Sequence, residues 1–214
     1  MAKPHTQPAS QARTPSRRTA LLRVAALGSL ALAGSVASRT ANAAAADATG
    51  AVPNDIQVPT ELVNTLPGAQ ALGAARLRFL GMEIYAARLW VQAGFSANSY
   101  AQSPFALELN YSRSLSGKLI AERSLKEMQR QGQRGAALEQ VWLDAMLRAF
   151  PDVKAGDRIT GLHTPGSGAR FWFNAQERAA VRDAEFSRLF FGIWLSEASS
   201  EPHMRSQLLG RSAL

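Results

Sequence analysis

The sequence predicts an α+β protein, an antiparallel sheet with helices packed on one face. Three observations carry that expectation. Phe105 to Arg113 alternates: Phe105, Leu107, Leu109, Tyr111 and Arg113 lie on one side, Glu108, Asn110 and Ser112 on the other. That is the pattern of a half-buried antiparallel strand. Phe186, Leu189, Phe190, Ile193 and Trp194 fall at i, i+3, i+4, i+7 and i+8, which puts five large apolar side chains on one face of a helix. The order along the chain is strands, helices, strands, helices, with no internal repeat.

Composition bounds the class. Hydrophobic residues make up 46% of the 214 and charged residues 19%, which describes a globular chain rather than a disordered one. The net charge of +8 invites a nucleic-acid partner, but its distribution argues against one. Residues 1–43 hold Lys3, Arg13, Arg17, Arg18, Arg23 and Arg39 and no acidic residue, so the basic excess belongs largely to this stretch. Cysteine is absent, which excludes disulfides, thiolate metal sites and cysteine nucleophiles. No apolar run is long enough to demand a membrane span.

Residues 1–43 read as an export signal. A basic start is followed by a short apolar stretch, Val24 to Ala37, and by the small-x-small site Ala41-Asn42-Ala43. Arg17-Arg18 ahead of Leu21-Leu22 resembles a twin-arginine signal, although Ala20 stands where an aromatic is usual. Both the general and the twin-arginine routes stay open, and a periplasmic or secreted location follows from either. Residues 44–71 form a lead-in in which Ile56 and Val58 suit a short strand, and residues 72–214 form the domain.

Leu72 to Val91 reads as two strands, or one bent strand, broken at Gly81. By parity Arg76 and Arg78 share a face with Leu80, Met82 and Ile84, while Leu77, Phe79 and Tyr85 take the other. Two helices follow, Gly117 to Arg130 and Ala136 to Phe150. The second has an apolar stripe of Leu138, Val141, Trp142, Ala145 and Ala149 and is closed by Pro151. Asp157 to His163 and Ala169 to Asn174 make a hairpin around Pro165-Gly166-Ser167-Gly168, and Ala179 to Arg182 adds a short strand. The aromatic helix from Ala184 carries Gly192 mid-helix, which costs about 1 kcal/mol relative to Ala and implies close approach of another backbone. A last helix, Glu201 to Leu209, takes Ser200 as its cap and ends at Gly210.

Familiar chemistry is missing. There is no phosphate-binding glycine loop, no G-x-S-x-G and no H-E-x-x-H. His5, His163 and His203 are scattered, and Glu122 and Glu127 share a helix with Arg123, Lys126 and Arg130 in the manner of a solvated face. No metal and no cofactor are expected. The odd residues are polar groups on apolar strand faces. Arg78 stands beside Leu80, Met82 and Ile84, and Tyr111 and Arg113 continue the row of Leu107 and Leu109. Such arginines either receive an anionic ligand in a cleft or snorkel to water and pair with Glu83 or Glu108.

Gly156–Gln176, Glu185–Glu197 and His203–Gly210, together with FLGMEIYAARLWV (Phe79–Val91), resemble the chalcone-isomerase-like proteins of bacteria. The resemblance implies an open-faced β-sandwich, a long antiparallel sheet covered by a layer of helices with a cleft between. Enzymes of the family close a chalcone by intramolecular addition. Other members resemble fatty-acid carriers that receive the carboxylate with an arginine and a tyrosine. On this resemblance Leu80 replaces a catalytic threonine, Ile120 a tyrosine and Glu127 an asparagine, which removes donors aimed at the oxyanion.

The expectation is therefore an exported, non-catalytic binder of a small amphipathic ligand, a fatty acid or aromatic carboxylate. Arg78 would receive the head group with Tyr111 as its hydrogen-bonding partner, and Arg113 is the alternative. Tyr85 is the candidate the resemblance supplies, although strand parity sets it on the opposite face. An isomerase acting on an enone, and an envelope interaction protein without a ligand, are the other readings.

Overall fold

The computed structural model describes residues 57–211. The expected export signal, residues 1–43, and most of the lead-in lie outside that range. Among the described residues, no helix is long and apolar enough to cross a membrane.

The chain enters through α1 (Thr60–Thr65) and runs into a hairpin of β1 (Gln70–Phe79) and β2 (Met82–Val91). A 3₁₀ turn (Ala97–Gln102) leads to β3 (Phe105–Tyr111), followed by α2 (Gly117–Gln129) and α3 (Ala136–Ala149). Then come β4 (Arg158–Thr164), β5 (Gly168–Phe173) and β6 (Gln176–Val181), and α4 (Ala184–Leu195) and α5 (Pro202–Leu208) end the fold. The six strands form one antiparallel sheet in the order β1-β2-β3-β4-β5-β6, so each strand pairs with its neighbour in sequence. Val58 precedes α1 and belongs to no strand, contrary to the short strand expected there.

The main core lies between one face of the sheet and α2 to α5. Leu89, Phe105, Leu107, Leu109 and Phe171 from the sheet meet Met128, Trp142, Met146, Phe186, Phe190 and Phe191 from the helices. Helix α4 is the centre of this layer. Phe186, Leu189, Phe190, Phe191, Trp194 and Leu195 are all buried. Asp183 caps the helix by accepting from the Phe186 N–H at 2.9 Å, and its other oxygen accepts from Trp142 Nε1 at 2.8 Å. A Cβ at Gly192 would collide with the side chains of Gln131 and Tyr100. The close approach is therefore to side chains, not to the backbone the sequence suggested.

The opposite face of the sheet is also covered in part. Leu62 of α1 and Leu66 just after it pack on Trp90, Ala106, Leu162 and Trp172, the strand residues that alternate with those of the main core. This corrects the half-buried reading of β3, which is buried on both faces along most of its length. Glu108, expected in solvent, is buried under a polar network. It accepts from Trp90 Nε1 at 2.9 Å and from Asn110 Nδ2 at 3.0 Å, and Arg88 and Arg158 stand at 3.5 and 3.8 Å. Arg158 in turn pairs with Glu61 of α1 at 2.8 Å, and Thr160 donates to the same carboxylate at 2.6 Å.

Two helical expectations shift. The buried stripe of α3 is Trp142, Ala145, Met146 and Ala149, while Leu138 and Val141 are exposed. Helix α5 starts at Pro202 with Glu201 as its N-cap residue, so Ser200 does not cap it.

Candidate ligand cleft

An apolar cavity of about 350 Å³ opens between the sheet and the helices. Leu77, Tyr85, Leu109, Tyr111 and Ile159 line it from the sheet. Ile120, Arg123, Ser124 and Glu127 of α2, Phe190, Ile193 and Trp194 of α4, and Met204 of α5 close it from the helical side. Arg78, Phe79 and Leu119 belong to the same lining but are exposed, which marks them as its rim.

A bulge builds the sheet side. In the β1–β2 ladder Leu77 pairs with Tyr85 and Arg78 pairs with Glu83, so Ile84 is the extra residue. Parity breaks there and again at the two-residue turn Leu80-Gly81. Met82 therefore lies opposite Phe79, and Arg78 shares its side with Glu83, not with Leu80, Met82 and Ile84 as alternation predicted. The turn and the bulge cancel, so the face shared with Leu77, which alternation predicted, is kept by Tyr85. It stands in register with Leu77 and Tyr111 and faces the cavity.

Tyr85 and Tyr111 form an edge-to-face pair with ring centroids 5.8 Å apart. The Tyr85 hydroxyl accepts from Trp194 Nε1 at 3.0 Å, which leaves its proton free. The Tyr111 hydroxyl has no hydrogen-bond partner among the described residues, so it is a donor without a mate in an apolar space. Burial pushes both hydroxyls well above the ordinary tyrosine range, and the proximity of Tyr85 adds to the effect at Tyr111. Both remain neutral donors across the physiological range.

Of the four candidate residues, three line the cavity. Tyr85 and Tyr111 lie inside and Arg78 at the mouth, with no carboxylate paired to it among the described residues. Arg113 lies outside the lining, its Nη1 against Met82 Sδ at 3.1 Å.

The residue pattern alone set Glu127 on a solvated helix face, and only the family resemblance pointed to it. It is buried and faces the cavity, and Arg123 holds it at 2.6 Å and Arg130 at 3.5 Å. The signal was present: Ile120, Ser124 and Glu127 fall at i, i+4 and i+7, the spacing of one helix face. Charge obscured it, because a carboxylate between arginines is the usual signature of solvent.

A second, more open depression of about 540 Å³ lies against β1 and β2, with Arg76, Arg88, Asn110 and His203 in its lining, and Arg78 borders both it and the cleft. It has no apolar interior comparable to the cleft. His163 lies elsewhere, buried, with Nδ1 2.7 Å from Ser187 Oγ and Nε2 3.0 Å from the Ala101 carbonyl.

An uncharacterized protein of Haemophilus influenzae is 27% identical over 143 residues, 67% of this chain and 69% of its own. The crystal structure of a fatty-acid binding protein of Arabidopsis thaliana, AtFAP1, matches with a TM-score of 0.53 at 13% identity. That match covers 67% of this chain and 88% of the other, and it speaks for the fold. The chalcone isomerase-like family model matches residues 70–210, from the first strand past the last helix. The chain belongs to the chalcone isomerase-like family.

Proposed function

We propose that this protein binds a small amphipathic carboxylate, of the fatty-acid class, in the cleft between sheet and helices, and does no chemistry on it. One observation carries the reading: an apolar cavity of about 350 Å³ with neutral tyrosine donors inside and an unpaired arginine at its mouth. That volume falls within the range of small-molecule sites, about 300–1,000 Å³. The apolar tail occupies the interior, where its burial drives binding. The carboxylate stays at the rim, where Arg78 is exposed and water can still reach the charge. Arg78 receives it, and Tyr111 supplies a hydrogen bond. The fold shared with a fatty-acid binding protein supports the class of ligand.

The test is titration of the delipidated protein with fatty acids of graded length. Saturable binding is expected. Arg78→Ala should weaken it by about tenfold, the scale of one lost charge-assisted hydrogen bond at a partly exposed site. Tyr111→Phe should weaken it by a smaller factor. Absence of saturable binding at every chain length sinks the reading.

Glu127 favours the enzymatic alternative, since it is a carboxylate facing the cavity. Its two arginine partners argue against a role as base, because they occupy both carboxylate oxygens, Arg123 on one and Arg130 on the other. Incubation with a chalcone, followed by absorbance, separates the two. The reading places the protein outside the cytoplasm, and amino-terminal sequencing of protein from cell fractions checks both export and cleavage near Ala43.

A further inference from the structure

The end of the β1–β2 hairpin is built against the usual rules for an exposed turn. Phe79, Leu80 and Met82 are 64%, 81% and 45% exposed, and none of them belongs to a packed cluster. Leu119, across the cavity rim on α2, is 59% exposed. Large apolar side chains gathered at one end of a molecule mark an interaction surface, whereas scattered ones do not.

The turn itself sharpens the point. Leu80 has φ +50° and Gly81 φ +78°, so both central residues are left-handed, as in a type I′ turn. Asn-Gly or Asp-Gly suits that geometry, and a branched leucine does not. The β5–β6 hairpin of the same sheet makes the comparison. Its first left-handed residue is Asn174, which accepts from the Arg158 N–H at 2.8 Å and donates to Asp157 at 3.0 Å. Leu80 takes the same backbone conformation with no such return inside the molecule.

The flanking charge says what covers the tip. Arg78 and Arg113 have no carboxylate partner among the described residues, and Arg113 sits against Met82. Arg76 pairs with Glu83 only at 3.7 Å and stays exposed. Apolar side chains projecting beyond a collar of guanidinium groups match the boundary of an anionic bilayer. There the tip enters the acyl layer and the arginines meet the head groups. A neutral or acidic protein groove would match the apolar tip or the collar, but the bilayer matches both at their relative depths.

We propose that this hairpin tip, with Leu119 beside it, docks the protein on the surface of an anionic lipid bilayer. Docking sets the mouth of the cleft against the membrane, so that an amphipathic ligand passes between lipid and cavity without crossing water. That consequence rests on the ligand reading above; the docking does not.

The experiment is co-flotation of the full, delipidated chain with vesicles of phosphatidylcholine alone and of phosphatidylcholine with phosphatidylglycerol. The basic leader is common to every variant, so the differences between variants decide. Wild type should float with the anionic vesicles, and added salt should weaken it. Leu80→Asn should lower partitioning by about tenfold, since it removes one inserted leucine. The same substitution creates the Asn-Gly turn the geometry prefers, so the melting temperature should rise. A loss of binding in a more stable protein cannot be misfolding. Arg113→Gln should lower partitioning by about fivefold. Equal flotation of wild type and Leu80→Asn overturns the proposal. So does an absence of flotation with any vesicle, and so does a dimer that Leu80→Asn dissolves. Fatty-acid titration of Leu80→Asn should match wild type, because Leu80 does not line the cavity; the two readings therefore fail separately.

Discussion

His163 shows what burial does to a single titratable residue. The Ala101 carbonyl can only accept, so Nε2 donates to it, while the Ser187 hydroxyl stands 2.7 Å from Nδ1 and 3.0 Å from the Gly168 carbonyl and has one proton to share between them. Burial lowers the pKa below its ordinary value, and the Ala101 bond offsets this only in part. The unfolded chain, with an ordinary value of about 6.5, then binds a proton that the native state resists. The stabilising contribution of the neutral ring is full above about pH 6.5 and is lost as the pH falls through the lowered native value. Urea midpoints should drop in that window, and His163→Gln, which can keep one donor and one acceptor, should flatten the drop. An unchanged drop in the variant assigns it to another group. Sequence inspection placed His163 in a hairpin and could not supply its partner, because Ser187 is contributed by a helix beyond two further strands.

At the scale of elements, α1 is tied to the sheet by one carboxylate. The Glu61 side chain is 1% exposed and receives both Arg158 and Thr160. Removing it leaves a guanidinium with poor access to water beside the still-buried Glu108. Glu61→Ala should cost about 2–3 kcal/mol of stability, less than a fully buried pair because Arg158 retains some exposure. Equilibrium denaturation measures it, and a loss within error would mean that Leu62 and Leu66 hold the helix alone. The same network explains why β3 was misread. Glu108 and Asn110 alternate with leucines as a solvent face would, and only the arrival of α1, Arg88 and Arg158 from other parts of the chain buries them. The stripe of α3 was misread for a related reason. Leu138 and Val141 have the correct period, but the helix turns Met146 to the core in their place.

The whole molecule keeps a cavity where close packing would be more stable. If the cavity exists for a ligand, filling it should remove binding without harming the fold. Ile120→Phe adds volume to a wall that has space before it. Fatty-acid affinity should fall by about tenfold or more, while the melting temperature holds or rises. A drop in melting temperature with binding intact would mean that the space is not available to a ligand. The resemblance had already put Ile120 and Glu127 on α2 in the cleft, and both line it. Leu80, the third position compared, stands outside it at the hairpin tip.

Local order alone determined the class of this protein. The two-residue period of strands and the 3.6-residue period of helices are written in neighbouring side chains. So the antiparallel, helix-covered α+β architecture and the aromatic helix α4 were legible before any contact was known. Tertiary structure decided which of those side chains meet. The Ile84 bulge exists only in the pairing of β1 with β2, where it sets Tyr85 opposite Leu77, and the register of β2 with β3 sets Tyr85 beside Tyr111. The burial of Glu127 and Glu108 depends on arginines set by helix faces and strand register. The cavity is the space left between two layers, and no residue encodes it singly. Composition and period are sums over nearby residues, whereas a site depends on the register between distant ones.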